Sequence, residues 1–298
     1  MDFDTQLIRA LQEDGRASIH ALSERLGQSR ATVSARLRTM VSDGTVRVVA
    51  AVDPGFLGQH VLAHVSIRVD GPAAPVAVRL GELPETVLVS AVAGVYDLVT
   101  EVRLATMPAL HDLLARIRAI PGVNDINTLI YTSILRGFFV SEYRGGITLD
   151  GIDSALIEQL QLDGRTSYRR LGEIARLSPS AVASRVQRLV EAGVIKISAV
   201  EGRSLSSRQL SMGIGLNLAG PGQELVEELR GWHGVEFAAL TLGRFDAVIT
   251  LGGPTAGALH ASLERIRSLA GVERTDSWQH LAVFKEDYAR TLHARPAH

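Results

Sequence analysis

Shifted by about half its length, the chain matches itself almost without gaps. Asp4, Leu7, Ile8, Leu11, Asp14, Gly15, Arg16, Ser18, Leu22, Ser29, Val33, Arg36 and Gly44 meet Asp153, Leu156, Ile157, Leu160, Asp163, Gly164, Arg165, Ser167, Leu171, Ser178, Val182, Arg185 and Gly193. The same shift lays ALHDLLARIRAIPGV, from Ala109, on ALHASLERIRSLAGV, from Ala258, and GVYD, from Gly94, on GRFD, from Gly243. One offset that serves such distant stretches points to duplication of a single unit. Whatever fold the first half takes, the second is expected to take again. The match fades around residues 54–80 and 203–230.

Each unit divides in two. Its first fifty or so residues carry helical periodicity, and the remainder alternates strand-like and helix-like stretches. The polar, glycine-containing stretch from Ser141 to Asp150 reads as a linker. The expected organisation is α+β: winged helix-turn-helix domains over 1–50 and 152–200, βαββαβ domains over 51–140 and 201–292, and a linker over 141–151.

In the first helical part, Asp4 is placed to cap a helix carrying Leu7, Ile8 and Leu11, with Gly15 as its stop. Ser18 caps a second helix with Ile19, Leu22 and Leu26, ended by Gly27. Ser29 caps a third, with Val33, Leu37, Met40 and Val41 inward and Gly44 as terminator. The β-rich stretch Val46–Ala50 follows. Three short helices with a tight last turn and then a strand make the winged helix-turn-helix pattern. The second copy repeats it, with Pro179 at a first helical position, where proline is tolerated.

With Val33 facing the core, a 100° step per residue turns Ala31, Ser34, Ala35 and Arg38 outward and leaves Arg36 at the boundary. Small residues let such a helix enter a major groove, and Arg38 is suited to a guanine edge. The corresponding face in the second copy is Ser180, Ala183, Ser184 and Gln187, and glutamine favours adenine, so the two heads are expected to prefer different half-sites. Ser29 and Arg30 in the first copy, and Ser178, Arg185 and Arg188 in the second, complete the expected DNA-contacting sets. Arg25, Arg30, Arg36, Arg38 and Arg47 face one acid, Asp43. Between Arg165 and Lys196, seven cations face Glu173 and Glu191. These basic clusters can supply phosphate contacts even though the formal net charge of the chain is −1.

The α/β part of the first unit reads as a strand over Val61–Val69, a helix over Ala74–Leu83, and a hairpin of Val87–Ala93 and Leu98–Leu104. An amphipathic helix over Met107–Ala119 and a last strand over Thr128–Leu135 follow. The second unit gives the same order, with strands at Met212–Leu218, Phe237–Thr241, Ala247–Leu251 and Trp278–Phe284. This βαββαβ order is the ferredoxin-like arrangement. Gly94 and Gly243 suit a hairpin that needs positive φ, and Asp97 and Asp246 could simply bond that turn's backbone.

These residues reach a family. DGRAS and DGRTS after the first helix, Ser-x-x-x-Val-x-x-Arg in the third, Gly-x-[Tyr/Phe]-Asp at the hairpin and Gly-Val before the last strand resemble the leucine-responsive/asparagine-regulator (Lrp/AsnC, feast/famine) family, twice over. The resemblance implies a transcription regulator whose ferredoxin-like domains self-associate and bind a small effector, often an amino acid. It places that effector near the hairpin and the start of the last strand. Carried over, these positions are Gly94, Val95, Tyr96, Asp97 and Thr128, with Gly243, Arg244, Phe245, Asp246 and Ser277. Arg244 standing where the first unit has Val95 implies pockets of different charge preference. The family usually has one unit per chain, so two units here could pair within one polypeptide.

Composition narrows the alternatives. With no cysteine there is neither a disulfide framework nor a thiolate site. No apolar run approaches the roughly 18 residues of a membrane span, and the acidic, amphipathic start is unlike a signal peptide, so a cytoplasmic protein is expected. Phosphate-loop, nucleophile-elbow and His-Glu-x-x-His signatures are absent, and no cofactor, metal or catalytic residue is expected. His111 and His260 recur at one helical place without an i+4 partner and read as surface histidines. Two rival readings share the architecture. Siroheme decarboxylases resemble this family and sometimes occur as fused pairs, but VLVSAVAGVYDLVTEV and FAALTLGRFDAVITL hold no histidine for tetrapyrrole carboxylates. The other is a ligand-binding protein with decayed heads, against which the capped third helices count.

Overall fold

A computed structural model describes residues 3–137, 143, 145–201, 210–220, 222–232 and 234–287. The chain divides into two compact units. One gathers the helical segments up to Leu57 and from 143 to 201, and the other gathers the α/β segments starting at Gly58 and at 210. Ser141, Glu142 and Arg144 of the expected linker, and 202–209 and 288–292 of the last expected domain, lie outside the described residues.

The helical unit holds α1 (Phe3–Glu13), α2 (Ile19–Leu26), α3 (Arg30–Ser42) and β1 (Val46–Val52), each set by local chemistry. The Ser18 and Ser29 side chains accept from the N–H of Ala21 and Thr32, which ties down the first turns of α2 and α3. Gly27 closes α2 in the left-handed region at φ 62°. Leu7, Leu11, Leu22, Val33, Leu37 and Met40 form the core, whereas Val41, expected inward, is exposed. Asp4 lies within α1 rather than capping it, and Gly15 has no positive φ. Its job is close approach: a Cβ there would stand 2.8 Å from the carbonyl oxygen of Ile197.

Later in the chain this unit adds α6 (Gly151–Leu162), α7 (Tyr168–Ala175), α8 (Pro179–Glu191) and β6 (Ile195–Glu201), in the order of α1 to β1. Ser167 and Ser178 cap α7 and α8, and Asp150 forms a reciprocal capping box with Asp153. Among the described residues, the strand after the third helix builds no hairpin of its own. β1 runs past residue 50 to Val52 and pairs antiparallel with β6, in a register that sets Val49 opposite Ser198. Around this ribbon Arg16 donates to the carbonyls of Gly164 (2.6 Å) and Thr166 (3.0 Å). Arg165 donates in return to those of Gly15 (2.6 Å) and Ala17 (2.9 Å). Arg16 also lies over the Tyr168 ring, 4.3 Å from its centroid. Tyr143, Ile147 and Leu149, from the stretch expected as linker, pack on the same core, with Tyr143 edge-on to Phe56 at 5.1 Å.

The α/β unit contains β2 (Val61–Val69), α4 (Ala73–Glu82), β3 (Thr86–Ala93), β4 (Leu98–Leu104), α5 (Met107–Arg118) and β5 (Val123–Arg136). The same order returns as β7 (Leu210–Leu218), α9 (Gln223–Gly231), β8 (Val235–Leu242), β9 (Ala247–Gly253), α10 (Ala256–Arg267) and β10 (Val272–Glu286). The eight strands close in the order β10-β3-β4-β2-β5-β8-β9-β7, joined where β5 meets β8 and β10 meets β3. Alternation divides each strand's side chains. Val61, Ala63, Val65 and Ile67 of β2 pack in the cluster with α4 and α5, while His64 and Ser66 take the other face. The last strands start earlier than expected, at Val123 and Val272, so Thr128 and Ser277 lie well inside them.

Candidate DNA-reading helices and effector cleft

Helix α3 presents Ala31, Ala35 and Arg38 exposed, with Ser34 partly so, as the periodicity predicts. Arg38 has no ion-pair partner among the described residues. Arg36 does: its guanidinium grips both oxygens of Asp4, which fastens α3 to α1. Arg30 is held by His20 Nδ1 at 2.9 Å. In the second head Ser180, Ser184 and Gln187 are exposed and Ala183 half-buried. Gln187 donates to Glu191 at 2.8 Å, and Ser180 lies 3.1 Å from the capping hydroxyl of Ser178. Arg185 donates to Asp150 at 2.7 Å and to Asp153 at 2.9 Å, and Arg188 also pairs with Asp153, whose side chain is 1% exposed. The arginines expected to contact DNA therefore separate. Arg36, Arg185 and Arg188 tie the third helix to the first, and Arg38 projects from the protein.

The hairpin residues also separate. Asp97 accepts from the Val69 N–H at 2.9 Å and Asp246 from the Leu218 N–H at 2.8 Å, so each carboxylate braces its hairpin to the neighbouring strand. Gly94 lacks positive φ, contrary to expectation. A Cβ there would stand 3.0 Å from Cβ of Trp278, so it is a close approach that favours glycine. Gly243 has φ 143°, and a Cβ on it would meet Leu129 and Thr128.

Val95, Tyr96, Arg244, Phe245 and Ser277 do converge, on a small cleft within the α/β unit. The remaining walls were not foreseen: Ser66, Val92, Val99, Asn127, Asp276 and Trp278. Arg244 pairs with Asp276, reaches the Tyr96 hydroxyl at 3.5 Å and lies over the Phe245 ring at 4.5 Å. Ser66 bonds Nε2 of His64 at 3.1 Å, and burial pushes the His64 pKa down to about 4, so the imidazole is neutral. The Trp278 indole N–H is buried without a hydrogen-bond partner among the described residues. One signal in the sequence could have exposed part of this site. Gly213 and Gly215 interrupt β7, and glycine inside a strand marks close approach. Here the Trp278 indole covers Gly213 and the Phe245 ring covers Gly215.

Comparison with known proteins agrees with both parts. The pattern of the AsnC-type helix-turn-helix domain matches residues 149–190, that of winged helix-turn-helix DNA-binding domains residues 2–47, and that of the Lrp/AsnC ligand-binding domain residues 62–136. The transcriptional regulator FL11 of Pyrococcus horikoshii is 33% identical over 131 residues, 43% of this chain and 87% of that protein. The regulator LrpA of Mycobacterium tuberculosis is 36% identical over 132 residues, 43% of this chain and 88% of its own. The chain belongs to the Lrp/AsnC family. As an Lrp/AsnC protein it is a DNA-binding regulator that carries a ligand-binding domain, and the relatives named here are transcriptional regulators rather than enzymes. The siroheme decarboxylase NirDL, solved with an iron-uroporphyrin III analogue, is similar in fold, with TM-score 0.60 at 16% identity over 96% of this chain and 92% of that one. That likeness is one of fold alone. Among the described residues no group of three His, Cys, Asp or Glu could hold a metal, His111 and His260 are exposed, and no helix is long and apolar enough to cross a membrane.

Proposed function

We propose that the chain is a sequence-specific regulator in which two complete Lrp/AsnC units, fused in tandem, pair with one another inside one polypeptide. Heads over 1–50 and 152–200 read operator DNA, and domains over 51–140 and 201–292 bind a small effector, an amino acid or a close relative of one. The observation that carries this reading is the pairing of β1 with β6 and the exchange of Arg16 and Arg165, which join two capped, basic-faced recognition helices in one compact unit. Arg38 reads a guanine edge and Ser34 and Ala35 allow close entry into the groove. Gln187 must leave Glu191 to read adenine, so the two half-sites differ. Arg36, Arg185 and Arg188, expected at first as phosphate contacts, act mainly by holding the recognition helices in place. Effector control follows from linkage: a ligand that binds better to one arrangement of the protein shifts DNA affinity by that difference, and no more.

The test is footprinting on the DNA upstream of the protein's own gene, with affinity followed across salt. Protection in patches about one helical turn apart, or a multiple of that, with affinity falling steeply in salt, is the expected result. Weak, unpatterned binding by well-folded protein would overturn the operator reading.

A further inference from the structure

We infer that only one of the chain's two equivalent effector clefts is open, and that it takes a single amino acid with an apolar side chain. The inference rests on the proposed effector role and adds to it the stoichiometry, the ligand class and its orientation. Under the repeat, Val95, Tyr96 and Asn127 correspond to Arg244, Phe245 and Asp276, and all six line the cleft. The deeper walls come from one side only. Ser66, Val92, Val99, Ser277 and Trp278 line it, while their counterparts Gly215, Thr241, Val248, Thr128 and Leu129 do not.

The reason is a plug. Phe245 is 5% exposed and packs with Leu129 and Val248, in the space that would mirror the open cleft. It enters because position 215 has no side chain: a Cβ there would lie 2.3 Å from the ring. In the first half Ser66 holds the corresponding position, and Tyr96 stays half-exposed at the cleft's edge. The charges are one-sided too. Arg244 and Asp276 form an ion pair, whereas their counterparts Val95 and Asn127 are uncharged. A zwitterion laid antiparallel to that pair puts its carboxylate on Arg244 and its ammonium on Asp276. Its side chain then faces Val92, Val99 and Trp278, which offer an apolar wall.

Calorimetric titration of the full chain with each of the twenty standard L-amino acids tests this. It is paired with the emission of Trp278 in a Trp232→Phe variant, which leaves Trp278 as the only tryptophan. The expected result is one site per chain for one or more apolar amino acids, with an emission change at the same midpoint. Arg244→Leu should weaken binding by about tenfold or more, as loss of a charged hydrogen bond does, and Val78→Ser, on the exposed side of α4 and outside the cleft, by no more than about twofold. Two sites per chain, binding without a Trp278 response, preference for a charged amino acid, or equal effects of the two variants would overturn the single-cleft inference and leave the effector reading standing. If no amino acid binds, both fall.

Discussion

Replacing Arg165 by alanine tests the joint between the two heads. The guanidinium donates to two backbone carbonyls, Gly15 at 2.6 Å and Ala17 at 2.9 Å. Its pKa is drawn below the ordinary arginine value by burial first, and by the nearby Arg16 charge second. Hydrogen bonds to charged groups contribute about 1.5–3 kcal/mol each, and partial exposure brings the pair to about 2–3 kcal/mol. Arg16→Ala removes the mirror-image pair and also the stacking on Tyr168, which adds about 0.5–1 kcal/mol. Lysine offers one point donor in place of a planar fork and restores no more than about half of either loss. Urea unfolding of the full chain measures the stability. A second assay compares affinity for DNA carrying two half-sites with affinity for DNA carrying one. Both alanine variants should lower the unfolding free energy and shrink the advantage of the two-site DNA. A loss below about 0.5 kcal/mol, or full rescue by lysine, would refute the reasoning, because an exposed side chain of no consequence behaves that way.

Other perturbations separate roles that look alike in sequence. Arg38→Ala should cost about 1–3 kcal/mol at one half-site and relax its base preference, read by binding across a set of altered operators, whereas Arg36→Ala should lower helix-packing stability by no more than about 1 kcal/mol in urea unfolding. Asp153→Ala should destabilise by about 1–2 kcal/mol, because it removes the buried carboxylate that completes the α6 capping box and ties Arg185 and Arg188 to that helix, while Asp4→Ala, at a half-exposed pair, should cost under about 1 kcal/mol in the same urea assay. Gly15→Ala should cost about 1–3 kcal/mol, as its Cβ meets backbone, and less should be lost in Gly164→Ala, where a methyl of Ile197 is the nearest atom. His64 is neutral in the fold with a pKa of about 4, but charges near 6.5 when unfolded. Its contribution is therefore fully present above about pH 6.5 and declines as pH falls toward 4, by about 3 kcal/mol in all, and His64→Gln should flatten that part of the stability–pH curve.

Local chemistry made the heads legible. Ser18, Ser29, Ser167 and Ser178 cap helices because a hydroxyl one residue ahead of an apolar periodic run has few other uses. Asp4 and Gly15 misled for the same reason: their signals are local, but their partners, Arg36 and the Ile197 backbone, are far along the chain. Val41 has the right residue type at the wrong angle, in the last turn of α3. The cleft was half-visible. Periodicity and resemblance led to its rim at Val95, Tyr96, Arg244 and Phe245, but Ser66, Asn127 and Trp278 reach it only through strand pairing, which no local pattern specifies. Phe245 packs against Leu129 and Val248 only because Gly215 has no side chain, and no local pattern in the hairpin announces that.

The pairing of Val49 with Ser198 carries a genetic consequence. In a dimer of identical chains, a residue beside the symmetry axis meets its own copy, so each mutation there strikes twice and must be compatible with itself. Here the facing positions are separate codons. Valine can lie opposite serine, and Arg244 can seek Asp276 while Val95 stays apolar, so each side of the joint is free to diverge while the other keeps its shape.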